Sequence, residues 1–458
     1  MEERKEMANP LESTSIGILL VKFAVPCTLS MLVSALYNIV DQIFIGHSVG
    51  YLGNAATNVV YPFTVVALAL ALLVGDGGAA QLSLALGSGD RETGHRCVGH
   101  ALVLSVVLGL LLMGIGLAET DPILRFFSVT QASYTYAWDY MRIIAIGIPF
   151  YMFTNGVNGV IRADGAPGYA MAATSLGALI NLILDPVAIF ALGMGVKGAA
   201  WATVIGQVAS CVMSAAYFRR PRSFRLQKSS FRPQGAIFGK IARLGLPSLI
   251  IQLAIVIIIS VANSLIYSYG PSSRYGADIP MSVVGIVMKV FGIVVAFAIG
   301  IGLGGQPIVG FNYGAGNYCR VFQTYGLIVR ANLVVGIAAT LIFQLFPDGV
   351  IWLFGSGDDL YREFARMCLR IWLLGILMTC MQKATSIFFQ SIGKSVQSTV
   401  LSLSRDVVFF VPLILVFAKL GGLVGMLWAA PAADILSCIL TVFLVIRERR
   451  AVQKKEEI

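Results

Sequence analysis

Two aspartates, Asp41 and Asp185, lie inside long apolar stretches of the sequence, within LYNIVDQIFIG and NLILDPVAIF. Asn181 precedes Asp185 by four residues, so on a helix its amide shares a face with the carboxylate. Thr203 supplies a hydroxyl group from the following apolar stretch. A charged side chain at the centre of a bilayer costs about 2.5–3.5 kcal/mol, so it usually faces a cavity or the protein interior and has a function. These four residues are therefore the first candidates for chemistry.

Two kinds of chemistry suit a pair of carboxylates lined by amide and hydroxyl oxygens. The pair can bind a proton, because burial and a like-charged neighbour both favour the neutral form of a carboxyl group. It can equally bind a small hard cation such as Na⁺ through Asp41, Asp185, Asn181 and Thr203. The residue types do not choose between the two. A third interpretation, in which both acids only cap broken helices, is open because Pro186 follows Asp185.

Three more ionisable residues inside apolar stretches are candidates for lining a cavity: Asp76, Lys289 and Asp406. Asp76 lies among glycines in VGDGGAAQ, where close helix packing favours a partner within the bundle. Lys289 is a candidate charge partner or substrate-lining group. Arg405 and Asp406 are adjacent in LSLSRDVVFF, and we expect them to pair with other groups in the interior of the protein.

No pattern in the sequence is typical of an enzyme. The three histidines do not form HExxH, and there is no GxxxxGK[ST] phosphate loop for ATP. The seven cysteines are scattered without the spacing of a disulfide framework or a metal site. We therefore expect no enzymatic activity and no cofactor, and energy for any transport has to come from a gradient of H⁺ or Na⁺.

The elements that carry these residues are predicted to be membrane-spanning helices. Of the 458 residues 57% are hydrophobic and only 12% are charged, whereas soluble domains carry about 25% charged residues. The N-terminus lacks a cleavable signal pattern, so the first apolar run should be retained. Runs of about 20 apolar residues or more predict an all-α polytopic membrane protein with twelve spans, at residues 16–45, 57–86, 98–118, 135–162, 169–192, 196–218, 241–268, 281–306, 321–346, 362–391, 396–417 and 422–446.

Basic residues lie mainly on one side of this arrangement. If both termini are on the same side, nineteen Lys and Arg residues, Arg162 among them, fall on that side and four on the other. The positive-inside rule makes the basic side cytoplasmic, with an N-terminal segment at 1–15, a basic linker at 219–240 and a tail at 447–458. The net charge of +10 then indicates contact with membrane lipid rather than nucleic acid, since no aromatic residues interleave the basic ones. We expect the protein in the cell membrane.

The two halves of the sequence repeat. MRIIAIG from Met141 matches LRIWLLG at an offset of 228, and GVKGAAWA from Gly195 matches GLVGMLWA at an offset of 227. The repeat predicts two six-helix bundles, an N-lobe at 16–218 and a C-lobe at 241–446. Both enter the membrane from the same side, so a pseudo-two-fold axis along the membrane normal relates them.

Two such bundles leave a central cleft between them. Rocking of one bundle against the other would expose a site to the two sides of the membrane in turn, and a solvated linker would tolerate that motion. The C-lobe has Ala262 or Asn263 where the N-lobe has Asp41, and Val411 where it has Asp185. The fold therefore does not require the two acids, which favours function over helix capping.

Several short motifs occur in a specific order along residues 16–446: LYNIVDQIFIG, GAAQLSLALGSGD, IRADG, NLILDP, GMGVKGAAWAT, GQPIVGFNYGAGN, FFQSIGKS and GLVGMLWAAPAAD. With these motifs the chain resembles multidrug and toxic compound extrusion (MATE) transporters, in the branch of the DNA-damage-inducible and staphylococcal exporters. The resemblance implies a V-shaped two-lobe fold that exports organic, often cationic compounds in exchange for H⁺ or Na⁺. It implies an N-lobe cation site of Asp41, Asn181, Asp185 and Thr203, with Asn155 as a fifth member. Where relatives commonly have Arg-Gln, this chain has Arg405-Asp406.

Two other functions stay open. A flippase for lipid-linked precursors, or an exporter of another anionic substrate, would favour a cleft lined by several basic residues, and only Lys289, Arg142 and Arg405 fit that requirement. A membrane receptor or scaffold would not need buried carboxylates. For the leading interpretation we expect small organic substrates and H⁺ or Na⁺ as partners, and function as a monomer.

Overall fold

The computed structural model describes residues 11, 14–48, 51–127, 129, 131, 133–224, 226–232, 234–276, 278–354 and 359–456. Every regular element among these residues is helical, as predicted. The predicted N-terminal segment 1–15 lies mostly outside the described residues, as do Arg225 of the linker and the last two residues of the tail 447–458.

The N-lobe contains seven α-helices. They are α1 Ile16–Ser48, α2 Tyr51–Gly87, α3 Arg91–Ala118, the short α4 Thr120–Phe126, α5 Tyr134–Ala163, α6 Pro167–Pro186 and α7 Gly195–Tyr217. A π-helical turn, Val187–Ala191, extends α6. The 3₁₀ turn Lys228–Phe231 lies in the linker.

The C-lobe contains nine α-helices. They are α8 Gly235–Tyr269, α9 Asp278–Gly314, α10 Tyr318–Leu345, the short α11 Pro347–Phe354, α12 Asp359–Trp372, α13 Ile376–Ser391, α14 Ser395–Leu403, α15 Phe410–Leu427 and α16 Ala429–Glu456. A π-helical segment, Ser404–Phe409, joins α14 to α15.

The predicted number of spans is confirmed, with one refinement. Among the described residues eleven helices are long and apolar enough to cross a membrane, and α12 with α13 forms the twelfth span if this pair, bent by 45°, counts as one. The predicted span 362–391 is therefore broken at residues 373–375. Gly375 packs tightly against Asp434 at this break, since a Cβ on Gly375 would lie 2.2 Å from the Asp434 Oδ2.

The two lobes repeat the same local packing. Gly195 begins α7 with φ of 55°, and its counterpart Gly422 at the offset of 227 has φ of 57°. Gly375 packs against Asp434, while its counterpart Gly147, at the offset of 228, packs against Gln207 with a built Cβ 2.3 Å from Oε1. The sequence offsets thus identify residues that occupy equivalent places in the two lobes.

The lobes meet along the half of the bundle near the turns at 88–90 and 315–317. Here α1 packs against α9, and α2 packs against both α8 and α9. The backbones are in direct contact, since a Cβ on Gly245 of α8 would lie 1.7 Å from the Leu73 carbonyl oxygen of α2. The predicted eighth span, 281–306, was too short, since α9 continues to Gly314. The polar Gln306, where the predicted span ends, and Asn312 beyond it are buried where the lobes meet.

We expect Gly245→Ala to weaken the closure of this half. The added methyl group meets a backbone carbonyl, and overpacking of this kind costs about 1–3 kcal/mol, roughly a tenfold shift or more towards the separated lobes. Cys27 of α1 is buried in the same half, so its modification by a thiol reagent, followed by mass spectrometry, should become faster. Gly239→Ala on α8 is the matched control, since nothing lies within 4 Å of its Cβ. Equal rates in both variants would contradict the expectation.

The linker is docked on the N-lobe over part of its length, which corrects the expectation of a fully solvated segment. The Asp164 carboxylate accepts hydrogen bonds from the Arg222 backbone N–H at 2.8 Å and the Ser223 backbone N–H at 2.7 Å. The Gln234 backbone N–H donates to His100 Nε2 at 2.9 Å, and Phe224 is buried. These contacts hold the linker on the N-lobe at residues 222–224 and again at Gln234, just before α8 begins.

Candidate functional site

Asp41 and Asp185 come together in the N-lobe. Asp41 lies near the C-terminal end of α1 and Asp185 near the C-terminal end of α6, and these two helices pack against each other. The two carboxyl groups are close enough to interact with each other. Two neighbouring carboxyl groups can share a proton that one of them donates to the other.

The Asn181 amide holds one side of this pair. Its Nδ2 donates to Asp185 Oδ1 at 3.1 Å and to Thr203 Oγ1 at 3.2 Å. Asn181 and Asp185 are 3% and 1% exposed, whereas Asp41 is only partly buried. The four residues Asp41, Asn181, Asp185 and Thr203 thus form one cluster. Of its two acidic residues, Asp41 is the more accessible.

Two oxygens of the cluster lack a donor. Among the described residues, buried Asp41 Oδ1 and Asp185 Oδ2 have no hydrogen-bond partner. Buried carboxylate oxygens without a donor are costly unless a proton or a cation satisfies them. Both a proton and a small oxygen-preferring cation such as Na⁺ fit the donor set of carboxylate, amide and hydroxyl oxygens. No group of three or more His, Cys, Asp or Glu suited to a metal ion occurs in the described part of the chain.

Pro186 shapes the backbone next to the pair. It lacks an N–H, so the helical ladder cannot continue regularly through it. The chain responds with the π-helical turn Val187–Ala191, in which the Leu192 N–H donates to the Val187 carbonyl at 2.9 Å. Single π-helical turns inside helices are frequent at functional sites. This turn lies immediately after Asp185 and packs against α7, which carries Thr203.

The fifth residue of the predicted site, Asn155, is not joined to the cluster by a hydrogen bond among the described residues. Its Nδ2 donates to the Tyr151 carbonyl of its own helix, α5, at 2.9 Å. Its role in ion binding stays a prediction.

Two of the three predicted cavity-lining residues lie instead in buried ion pairs in this structure. Asp76 accepts from Arg162 Nη2 at 3.1 Å and from Ser248 Oγ at 2.8 Å, across the two lobes. Asp406 is paired with Lys383 and with Arg405 Nη1, the latter at 2.9 Å. The third, Lys289, is exposed on α9. Arg405 and Asp406 do pair in the interior, as expected.

Sequence reasoning missed three residues of these networks. Arg162 was assigned to the cytoplasmic surface because it ends a span, but it is 5% exposed and pairs with Asp76. Lys383 and Asp434 each interrupt an apolar stretch, in TCMQKATSIFF and AAPAADILS, and that interruption was the available signal. Both are buried.

The chain was compared with known proteins. The MatE family model matches residues 26–187 and 247–416. The multidrug export protein MepA of Staphylococcus haemolyticus is 25% identical over 452 residues, which cover 97% of this chain and 96% of that protein. MepA of Staphylococcus aureus strain MRSA252 is 22% identical, with 99% of each chain covered.

Solved structures share the fold. An outward-facing multidrug resistance MATE transporter of the MOP superfamily superimposes with a TM-score of 0.88 at 25% identity, covering 95% of this chain and 96% of that chain. A MOP superfamily transporter from Pyrococcus furiosus gives a TM-score of 0.90 at 24% identity, covering 97% and 98%. The two-bundle fold predicted from the repeat is thereby confirmed.

Proposed function

Since the chain belongs to the MatE family, we propose that it is a transporter that exports organic, often cationic drugs or toxic compounds in exchange for H⁺ or Na⁺. One observation carries the ion coupling: Asp41 and Asp185 share a buried site with two oxygens that no donor satisfies. The export of drugs is supported by the relatives, which are named multidrug export proteins.

In the proposed mechanism, binding of the ion changes the net charge of the Asp41 and Asp185 pair. An ion that reaches Asp41 from the open side removes one negative charge from the pair, and the pair then attracts a cationic substrate less strongly. The lobes then rock about the contacts of α1, α2, α8 and α9, and the ion leaves on the other side. In a one-for-one exchange of ions of equal charge the membrane potential cancels, so a roughly 50-fold concentration gradient of the ion, equivalent to about 100 mV or 2.3 kcal/mol, supports about a 50-fold concentration ratio of the substrate.

The distribution of basic residues supports an orientation of the structure in the membrane. The lobe contacts lie beside the turns at 88–90 and 315–317, on the side that the positive-inside rule makes cytoplasmic. The structure is then closed towards the cytoplasm, with both termini cytoplasmic, which agrees with its similarity to an outward-facing transporter. We propose that one chain suffices for function, in contact with membrane lipid, without a cofactor other than the coupling ion.

The alternative, transport of a lipid-linked or other anionic substrate, has weaker support. Arg405 is buried and paired with two aspartates, and Arg142 stacks on the Trp138 ring at 4.6 Å. Lys289 and Arg142 are then the two exposed residues among the three basic candidates. Two exposed basic residues, one of them stacked on an aromatic ring, are little charge for a pyrophosphate.

Vesicles containing the purified protein test the proposal. A proton gradient and a sodium gradient are imposed separately, and efflux of a fluorescent organic cation is recorded. We expect one of the two gradients to drive efflux above the rate in protein-free vesicles. Flipping of a lipid-linked sugar, with no cation efflux under either gradient, would favour the alternative.

A further inference from the structure

The C-lobe contains a buried network of four charges. Lys383 of α13 pairs with Asp406 of the π-helical segment. Arg405 Nη1 donates to Asp406 Oδ1 at 2.9 Å, and Arg405 Nε donates to Asp434 Oδ1 of α16 at 2.9 Å. Thr379 Oγ1 donates to the same Asp434 oxygen at 2.8 Å. The four charged residues are only 2–3% exposed, and their charges sum to zero.

The repeat relates this network to the N-lobe. Lys383 lies at the offset of 228 from Asn155, and Asp434 lies at the offset of 227 from Gln207. The equivalence is visible in the packing of Gly375 against Asp434 and of Gly147 against Gln207. At these positions the C-lobe thus has charged residues where the N-lobe has neutral amides.

The two lobes treat their buried acids in opposite ways. The N-lobe pair Asp41 and Asp185 has no basic partner among the described residues, and two of its oxygens lack donors. Each C-lobe acid instead has a cation of the chain itself in contact. A buried carboxylate that already has a tethered cation has no need for a mobile one.

We propose that Lys383 and Arg405 are built-in counter-cations that permanently neutralise Asp406 and Asp434, so that the C-lobe exchanges no ion and coupling belongs to the N-lobe alone. This rests on the proposed antiport and narrows it to one ion site. Lys383 is a positioning and neutralising residue here, not a coupling residue. Removing it converts the C-lobe network into a site with one negative charge in excess.

Among the described residues, no other lysine lies near enough to Asp406 to replace Lys383. The groups that face its carboxylate are Lys383 and Arg405, with Asp434 beyond Arg405. Helices α8 and α15 also pack against the π-helical segment, but their basic residues Lys240, Arg243 and Lys419 are exposed. The Arg405 guanidinium is held in place, since it lies over the Phe291 ring at 5.1 Å.

The test compares the thermal unfolding midpoint of purified variants with wild type between pH 5.5 and 8.5, in Na⁺ or in N-methyl-D-glucamine at constant ionic strength. Lys383→Met should be less stable at high pH without Na⁺. Its deficit should shrink as the pH falls or Na⁺ is added, because the excess carboxylate binds a proton or a cation. One proton changes the folding equilibrium by up to tenfold per pH unit. Lys289→Met, at an exposed lysine, should track wild type throughout.

Two further variants test the sign of the net charge that each substitution leaves in the network. Lys383→Met/Asp406→Asn restores neutrality, so its difference from wild type should not depend on pH or Na⁺. Asp406→Asn leaves a cation in excess, so its deficit should shrink as the pH rises, and this variant decides the matter if Lys383→Met does not fold. A deficit that is constant in both single variants would overturn the proposal and leave Lys383 as a packing residue.

Transport separates this proposal from the antiport itself. If gradient-driven efflux persists after Asp41→Asn and Asp185→Asn are combined, the C-lobe carries ions and the one-site proposal is wrong, although antiport stands. If wild type shows no ion-driven efflux, the proposed function fails, and the stability measurements still decide the role of Lys383.

Discussion

Asp185→Asn should abolish gradient-driven export while leaving the protein folded. Asn has the shape of Asp but cannot take up a proton at neutral pH or offer a charge to Na⁺. The concentration ratio of about 50-fold that a 50-fold gradient of the ion supports should then fall to the ratio set by passive leak. Asn181 can still donate to the Oδ1 that Asp and Asn share, so the local fold is retained.

The measurement is the steady-state ratio of a fluorescent cation across vesicles under the coupling gradient. Asp41→Asn should give the same loss, because both carboxyls belong to one site. Asp139→Asn is a suitable control, since that acid forms a partly exposed ion pair with Lys197 outside the site. Full accumulation by Asp185→Asn would show that the pair is not the coupling site.

Arg162→Met should cause the largest loss of stability among single substitutions considered for this chain. Arg162 is 5% exposed and pairs with Asp76, which is 4% exposed. Removing one partner of a buried ion pair costs about 3–5 kcal/mol, because it leaves an uncompensated charge. Asp76 also accepts from Ser248 of the other lobe, so the loss should affect the lobe interface as well as the N-lobe.

Thermal unfolding in detergent measures this loss. Arg162→Met/Asp76→Asn removes both charges and should recover much of the stability, whereas Arg96→Met, at a partly exposed pair with Glu92, should cost about 0–1 kcal/mol. If the double variant is no more stable than Arg162→Met, the loss comes from packing rather than from an unpaired charge.

The sequence was sufficient for the fold because the signals are local or periodic. Apolar length identified the spans, and the repeat identified the two bundles. The break at residues 373–375 was missed because the apolar run continues through it, and the contact of Gly375 with Asp434 joins residues that are 59 apart in sequence. The continuation of α9 beyond Gln306 was missed because hydropathy does not register polar residues that the opposite lobe buries.

The contacts within the site were predictable where the two residues are close in sequence. Asn181 and Asp185 are one helical turn apart, so their contact follows from spacing alone. The pairing of Asp41 with Asp185 depends on α1 packing against α6, so burial of two acids in apolar stretches suggested it, but spacing along the chain could not show it. The partners of Asp76 and Asp406 come from other helices, so composition showed that these acids need partners but not that Arg162 and Lys383 supply them.

The central claim is that the Asp41 and Asp185 pair exchanges an ion for each substrate movement. Its most direct test uses vesicles with no ion gradient, in which a concentration gradient of the organic cation is imposed and proton and Na⁺ movements are recorded. We predict that wild type moves one of these ions opposite to the substrate, and that Asp185→Asn moves neither. Substrate flux without any opposing ion flux in wild type would contradict the account.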